Sequence, residues 1–366
     1  MLSQRIKKIE ESGIRKVFEM ASQGGGEYYD FSIGQPHFET PEKLKKALCR
    51  ATQEDYNRYS PTKGLDDLRE KVGEKLKKEN EIKAKVDNIM ITHGVSGGLF
   101  LALASILDSG DEVVLPDPYF VLYKQVLDFL EVKPVFWDTY PDFQLKPETL
   151  KKLLNPKTKA IILNTPNNPT GMVYPRKDLE LVAGVAREKG IFLISDEIYE
   201  KFDFDKKFFS VGSVYDRTIT LNGFSKSHLV TGWRVGYAHG PSEVIEAMNK
   251  LQQYTFVCAP TPAQKALAST FDFDLSSYID KYKENRDYLV SNLSSKYALQ
   301  APGGGYYAYL KIPRGKENFL EKLKENKILA VPGEVFSRKG GYFRLSLAVD
   351  KKTLKQGIEI LNRLVK

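Results

Sequence analysis

The fold is decided by the segment IFLISDEIY at residues 191–199. Its first four residues are apolar, and a helical pattern over residues 176–189 precedes them. A strand with one solvated face would alternate apolar and polar residues, so an unbroken apolar run indicates a strand buried on both faces. The segment therefore predicts an interior strand of a mostly parallel sheet that is covered by helices.

The same alternation of strand and helix extends in both directions along the chain. The predicted strands of this region cover residues 89–92, 112–115, 132–137, 160–164, 191–194, 218–221 and 235–238. The predicted helices cover residues 96–107, 120–130, 145–154, 176–189 and 262–295, the last with a break near residues 271–272. This order predicts an α/β fold, and a smaller α+β region follows it, with strands at 306–312 and 343–348.

Length and composition limit the classes of protein to consider. A chain of 366 residues tends to form one large and one smaller domain. The net charge of +8 raises the question of nucleic acid or anionic membrane partners. Much of the excess lies in helical runs at 75–85 and 311–327, where glutamates are interleaved as on solvated faces. We therefore expect neither a nucleic-acid nor a membrane partner.

Cysteine and histidine usage gives two further expectations. Cys49 and Cys258 cannot build a disulfide framework, and the four histidines show no zinc-ligand spacing. The first twenty residues lack the apolar core of a signal peptide, and no stretch approaches the roughly 20 apolar residues of a membrane span. The sequence therefore predicts a cytoplasmic protein without a metal site.

Polar residues follow the predicted strands, where open α/β sheets carry their active sites. Five such segments stand out: THGVSGG at 92–98, NTPNNPTG at 164–171, SDEIY at 195–199, NGFSKSH at 222–228 with TGWRVG at 231–236, and YFRLSL at 342–347. Together they predict a polar site at one edge of the sheet.

Each segment has a functional and an ordinary interpretation. The glycine-rich turn at 92–98 suits a phosphate, although it could be a plain turn. Asp196 needs a cationic partner if it is buried, but it could cap the next segment. Lys226 is a Schiff-base nucleophile if it is desolvated, and otherwise a surface charge. Arg344 could bind a carboxylate of a ligand or form a structural salt bridge.

In combination these segments identify a family. The chain resembles the class I and II aminotransferases of pyridoxal-phosphate fold type I, of the aspartate aminotransferase kind, from about residue 29 to the last residue. The resemblance is carried, in the family's order and spacing, by GQPHFETP at 34–41, YSPTKGL at 59–65, NNPTG at 167–171, DEIY at 196–199, SK at 225–226, GWRVGY at 232–237 and FRLS at 343–346. It implies a large domain, residues 42–275, with a mostly parallel seven-stranded sheet flanked by helices. A small α+β domain would combine residues 1–41 and 276–366.

The resemblance also implies pyridoxal 5′-phosphate as cofactor and assigns catalytic residues. Lys226 would form the Schiff base with the cofactor and carry the proton from the substrate Cα. Asp196 would pair with the pyridinium nitrogen of the ring. Tyr199 and Asn168 would hydrogen-bond the ring O3′, and Phe120 would stack on the ring face.

Further residues are assigned by resemblance to the phosphate and the substrate. The phosphate would be held by Gly94, Val95, Ser96, Ser225 and Arg234. The substrate would be bound by Gly34, Phe120, Asn168 and Arg344, with Arg344 on its α-carboxylate. Tyr59 resembles a tyrosine that reaches the phosphate of the neighbouring subunit, which implies a homodimer with shared active sites. Gly223 departs from the family, because many relatives carry a hydroxyl there.

The implied activity is amino-group transfer between an L-amino acid and a 2-oxo acid by ping-pong half-reactions. Ser96 stands where one branch of aspartate-using relatives has a lysine, which weakens a dicarboxylate preference. The apolar segment 254–260 would suit an aromatic or aliphatic substrate, and His37 lies either near the substrate entrance or in an ordinary loop. A carbon–sulfur β-lyase on the same fold and a cofactor-sensing regulator are the alternatives, but only about thirty residues precede the first motif, too few for a DNA-binding module.

Overall fold

The computed structural model describes residues 2–23, 28–316 and 318–366. The strands in these residues are β1 (Tyr29–Asp30), β2 (Ile89–Thr92), β3 (Glu112–Asp117), β4 (Lys133–Asp138), β5 (Thr158–Asn164), β6 (Phe192–Asp196), β7 (Thr218–Gly223), β8 (Gly236–His239), β9 (Tyr307–Lys311), β10 (Ile328–Leu329), β11 (Val331–Pro332) and β12 (Tyr342–Ser346). The helices are α1 (Gln4–Lys7), α2 (Gly13–Gln23), α3 (Glu42–Gln53), α4 (Asp66–Glu79), α5 (Gly94–Ile106), α6 (Val121–Phe129), α7 (Pro147–Leu150), α8 (Arg176–Lys189), α9 (Phe224–Ser227), α10 (Ser242–Thr255), α11 (Thr261–Ser269), α12 (Ser276–Asn292), α13 (Phe319–Glu325) and α14 (Lys351–Leu364).

Seven strands form the central sheet, in the order β2-β8-β7-β6-β5-β3-β4. Strand β8 runs antiparallel between β2 and β7, and the other neighbouring pairs are parallel. The predicted mostly parallel seven-stranded sheet is thus confirmed. Six strands share one direction, so their carboxyl ends meet at the same edge of the sheet.

Strand β6 shows why the unbroken apolar run predicts an interior strand. Leu193 packs in one apolar cluster together with Leu179 and Val182 of α8. Its neighbour Ile194 packs in a different cluster, together with Leu103 of α5. Successive side chains of a strand point to opposite faces, so the two clusters cover both sides of the sheet. From Leu193 to Asp196 every residue of β6 is buried.

A second, smaller sheet has the antiparallel order β11-β12-β9, and β1 pairs with β10 beside it. One apolar cluster joins Phe31 to residues far along the chain, among them Tyr282, Phe343 and Leu361. Phe31 also packs directly on Gly357 of α14, where a side chain would collide with the ring. The two chain ends therefore share one core. The domain boundaries at residues 41/42 and 275/276 stay a prediction.

Two helix predictions differ from the structure. The helix predicted over residues 145–154 was wrong in extent, since α7 covers only Pro147–Leu150 and a 3-10 turn follows at Lys151–Leu153. The chain is extended at Leu154, and Pro156 disfavours helical backbone at the residue before it. The helix predicted over 262–295 is two helices, α11 and α12, interrupted where the break was predicted.

Candidate active site

A cavity of about 640 Å³ opens at the carboxyl edge of the large sheet. It is lined by residues at the ends of, or in the segments after, the strands β1, β2, β3, β5, β6 and β7, by residues of the small sheet and by α2. Of the residues predicted from the sequence, those that line it are Gly34, Val95, Ser96, Phe120, Asn168, Asp196, Tyr199, Ser225, Lys226, Arg234 and Arg344. The structure thus brings together residues that are more than 300 positions apart in the sequence.

Lys226 lies in the short helix α9, directly after the end of β7. Its Nζ donates a hydrogen bond of 2.5 Å to the backbone oxygen of Gly34. Burial lowers the pKa of this amine to about 7, and the guanidinium groups of Arg234 and Arg344 act in the same direction. A substantial neutral fraction therefore exists near pH 7, and a neutral amine is both a nucleophile and a base.

Asp196 is the last residue of β6, and its carboxyl is buried at the cavity. The hydroxyl of Tyr123 donates to Oδ2 at 2.7 Å, and the backbone N–H of Ile198 donates to Oδ1 at 3.2 Å. Burial raises the pKa of this carboxyl to about 6, because a charge there is poorly solvated. A cationic group of a ligand would supply the charge that these neutral donors lack.

Tyr123 was missed by the sequence reasoning. It lies on α6 three residues after Phe120, and the two rings meet edge to face with centroids 5.7 Å apart. Phe120 directly precedes the helix and accepts a backbone hydrogen bond from Tyr123 in the first turn, so the position of Phe120 was a usable signal for Tyr123.

Two tyrosines, Tyr199 and Tyr307, line one side of the cavity, and Tyr306 is buried beside them. The hydroxyl groups of Tyr199 and Tyr307 share a hydrogen bond of 2.8 Å. The hydroxyl of Tyr306 donates to the backbone oxygen of Gly34 at 3.4 Å, the same oxygen that accepts from Lys226. Tyr306 and Tyr307 were not predicted as site residues, although the three glycines before them mark a close approach of the backbone.

Arg344 lies in the middle of β12 and is only 1 % exposed. One guanidinium nitrogen donates to the backbone oxygen of Ser32 at 2.5 Å, and another donates to Oδ1 of Asn168 at 3.1 Å. Its Cζ lies 4.6 Å from the ring centre of Tyr307 and 4.7 Å from that of Phe336.

The charge of Arg344 has no carboxylate partner in the part of the chain that the structure describes, and its buried Nε has no hydrogen-bond partner there. A structural salt bridge, the ordinary interpretation of this arginine, is thus not what the structure shows. A buried guanidinium without an anion is costly, whereas a bound carboxylate would satisfy it in bidentate fashion.

A candidate anion site lies where α5 begins. Gly94 has a positive φ of +64°, a backbone conformation that favours glycine, and a Cβ there would lie 2.7 Å from a guanidinium nitrogen of Arg234 and would displace it. Val95 and Ser96 follow in the first turn of α5, where backbone N–H groups lack partners within the helix. Ser225 adds a hydroxyl from α9. Helix N-terminus, hydroxyls and guanidinium form a donor set that suits a phosphate.

The departure at Gly223 has a steric explanation. A Cβ at this position would lie 2.8 Å from Cα of Gly236 and 3.1 Å from the backbone oxygen of Val235. Both obstacles are backbone atoms, which cannot rotate away as a side chain can. No hydroxyl-bearing side chain fits at 223 in this backbone.

Tyr59 lies apart from the residues that line the cavity, and 84 % of it is exposed. The next residue, Ser60, is fixed by a hydrogen bond from its backbone N–H to Oγ1 of Thr261 at 3.1 Å. A contact between Tyr59 and a phosphate therefore requires a second chain, and that role stays a prediction.

The comparisons with known proteins agree with this geometry. Residues 27–361 match the sequence model of the family described as aminotransferase class I and II, so the chain belongs to this family. It is 37 % identical to the aromatic-amino-acid aminotransferase 2 of Thermococcus litoralis, over 100 % of this chain and 98 % of that protein. It is 35 % identical to the probable aspartate aminotransferase of Methanocaldococcus jannaschii, over 100 % of both chains.

The fold matches solved structures of the family. The aspartate aminotransferase of Thermus thermophilus with maleate superposes with a TM-score of 0.95 at 33 % identity, over 100 % of this chain and 99 % of that one. The structure of the chain is therefore the aspartate aminotransferase fold, which is pyridoxal-phosphate fold type I, as the sequence resemblance implied.

Proposed function

We propose that this protein is a pyridoxal-phosphate-dependent aminotransferase that moves an amino group between an L-amino acid and a 2-oxo acid by a ping-pong mechanism. The observation that carries the proposal is the pairing, in one cavity, of an amine whose pKa is lowered to about 7 with a buried guanidinium. The first group is Lys226 and the second is Arg344. Membership of the aminotransferase family supports the same activity.

The side chains fit the cofactor. The glycine cradle at Gly94 and the guanidinium of Arg234 would hold its phosphate, with donors from Val95, Ser96 and Ser225. The buried carboxyl of Asp196 would face the pyridine nitrogen, whose positive charge favours the ionised carboxylate. When bound, the cofactor supplies an electron sink for the negative charge that develops at the substrate Cα.

The remaining chemistry belongs to the protein. Arg344 binds the α-carboxylate and so fixes the substrate Cα relative to Lys226. The amine of Lys226 takes the proton from Cα and delivers it to the cofactor. This transfer requires the amine to be neutral at the start. Asn168 and Tyr199, held by Arg344 and Tyr307 respectively, orient the ring oxygen of the cofactor. Phe120 covers one face of the ring.

We further propose a cytoplasmic homodimer in which Tyr59 contributes to the phosphate site of the second copy. The 84 % exposure of Tyr59 and the 83 % exposure of Tyr254 support this, because large aromatic side chains this exposed are typical of interfaces. Among residues 2–23, 28–316 and 318–366, no helix combines the length and apolarity that a membrane crossing requires. The partners would be an amino acid and a 2-oxo acid, as small-molecule substrates, and a second copy of the chain.

Lys226→Ala tests the proposal, with Lys83→Ala, at an exposed lysine, as the control. We expect the wild-type protein to show visible absorbance from bound cofactor that shifts when an amino acid is added. Lys226→Ala should keep cofactor only loosely and lose turnover by on the order of 10⁴-fold or more. The control should match the wild type.

Retained turnover in Lys226→Ala would contradict the assignment of this lysine. Release of pyruvate and ammonia from cystathionine by the wild-type protein, without any 2-oxo acid, would indicate the β-lyase instead.

A further inference from the structure

The charged side chains that line the cavity outnumber the roles assigned to them. Among the described residues the lining has one carboxylate, Asp196, and four cationic side chains: Arg15, Lys226, Arg234 and Arg344. The proposed function uses the carboxylate and three of the cations. Arg15 is left without a partner in the mechanism.

Arg15 is held at the cavity by the start of α2. Gly13 packs so closely on Val335 that a side chain there would collide with it. Ile14 and Val335 both pack against the apolar cluster that contains Phe336. Phe336 in turn stacks on Arg344, with 4.7 Å between its ring centre and Cζ. The backbone of Arg15 is therefore positioned by contacts that lead directly to the α-carboxylate site.

The side chain of Arg15 is exposed and forms no ion pair with the described part of the chain. Its neighbour Lys16 differs, since its Nζ lies 3.3 Å from Oε2 of Glu11 and it does not line the cavity. Two adjacent cations on one helix thus have different surroundings. Arg15 lines the cavity without an ion pair among the described residues, whereas Lys16 is paired with Glu11 on the surface.

We propose that Arg15 binds the side-chain carboxylate of a dicarboxylic substrate, so that acidic amino acids and their 2-oxo acids are the preferred class. The proposal rests on the proposed function, which places the α-carboxylate on Arg344. Ser96, in the glycine-rich turn, has no charge with which to bind a second carboxylate. The cation for that carboxylate is instead Arg15 of the N-terminal helix α2. A planar guanidinium can bind a carboxylate through two parallel hydrogen bonds.

The test compares the binding of succinate and butyrate to the cofactor-loaded protein by titration calorimetry. Both acids have four carbons, but only succinate has a second carboxylate. We expect the wild type to bind succinate at least about tenfold more tightly than butyrate. Arg15→Gln should weaken succinate about 10- to 100-fold and leave butyrate within about twofold. Arg15→Lys should keep part of the preference, and Lys16→Gln, the matched control, all of it.

Two results would overturn the proposal: unchanged succinate binding in Arg15→Gln, or equal weakening of both ligands. Because no turnover is needed, the test is independent of the proposed activity. A protein that binds succinate through Arg15 but converts no amino acid would refute the aminotransferase function alone. A transaminase whose succinate binding ignores Arg15 would refute this inference alone.

Discussion

Asp196 and Glu197 are neighbours in the sequence, and both carboxyls are buried, yet their surroundings differ. Asp196 faces the cavity and accepts hydrogen bonds from Tyr123 and the backbone of Ile198. Glu197 lies within protein, where Oε1 accepts from the hydroxyls of Ser195 and Ser210 at 2.8 and 2.7 Å. One carboxyl is left open towards a ligand, and the other is enclosed by donors of the chain itself.

Two lysines, Lys75 buried and Lys226 half-buried, repeat this contrast. Lys75 pairs with Glu200 and donates to Oδ1 of Asn80 at 2.7 Å, while Nδ2 of Asn80 donates to Glu200 at 2.8 Å and to Glu197 at 3.3 Å. Among the described residues, the hydrogen-bond partner of the Lys226 amine is the backbone oxygen of Gly34, and no carboxylate forms an ion pair with it. A closed network of charges stabilises the fold, whereas charges without partners mark the place where a ligand completes the structure.

The largest expected effect on stability lies in the closed network. Lys75→Met removes the cation that pairs with buried Glu200, so we expect the free energy of unfolding to fall by about 3–5 kcal/mol. The matched variant Lys226→Met leaves no ion-paired carboxylate behind, and its cofactor-free form should unfold within about 1 kcal/mol of the wild type. Urea unfolding of both cofactor-free variants measures this difference. Equal losses of unfolding free energy in the two variants would contradict the expected difference between the two lysines.

A smaller effect is expected on catalysis, and it separates the two carboxyls. Asp196→Asn cannot hold positive charge on the ring nitrogen, so kcat/KM should fall by about 10²- to 10³-fold. Glu197→Gln, one residue further, should stay within about threefold of the wild type, because its side chain does not line the cavity. Steady-state kinetics with one amino acid and one 2-oxo acid would measure kcat/KM for both variants. Similar losses in both variants would place Glu197 in the catalytic machinery.

The smallest effect concerns pH. Burial, together with the neighbouring Glu200, raises the pKa of Glu197 to about 8. The folded chain therefore keeps a proton that the unfolded chain releases near pH 4.5, so the contribution of Glu197 to the stability falls as the pH rises from 4.5 to 8. Between pH 6 and pH 7 the loss that Glu197 contributes is at most about 1.4 kcal/mol.

Glu197→Gln resembles the protonated acid and should show a flatter pH dependence over this interval. Urea midpoints at pH 6 and pH 7 provide the comparison. Parallel pH dependences of variant and wild type would mean that Glu197 keeps its charge in the folded state.

The charged residues at the cavity were predictable from the sequence. The enclosed network around Lys75 and Glu197 was not. Lys226 and Asp196 follow apolar strands directly, so sequence order alone placed them at one edge of the sheet. Asn80 donates a hydrogen bond to Glu197 although the two residues are 117 positions apart in the sequence, and no local sequence pattern predicts that contact. Arg15 was missed for the same reason, since it reaches the cavity from a helix rather than from the end of a strand.

The close approach of Gly223 to Gly236 also limits how this site could change by mutation. A hydroxyl at 223 would need the backbone of β8 to move first, because Cα of Gly236 and the oxygen of Val235 fill the space. In evolutionary terms the step from glycine to serine or threonine in this chain requires an accompanying shift of β8. Without that shift, a stronger anion site must arise at positions where a side chain already has room.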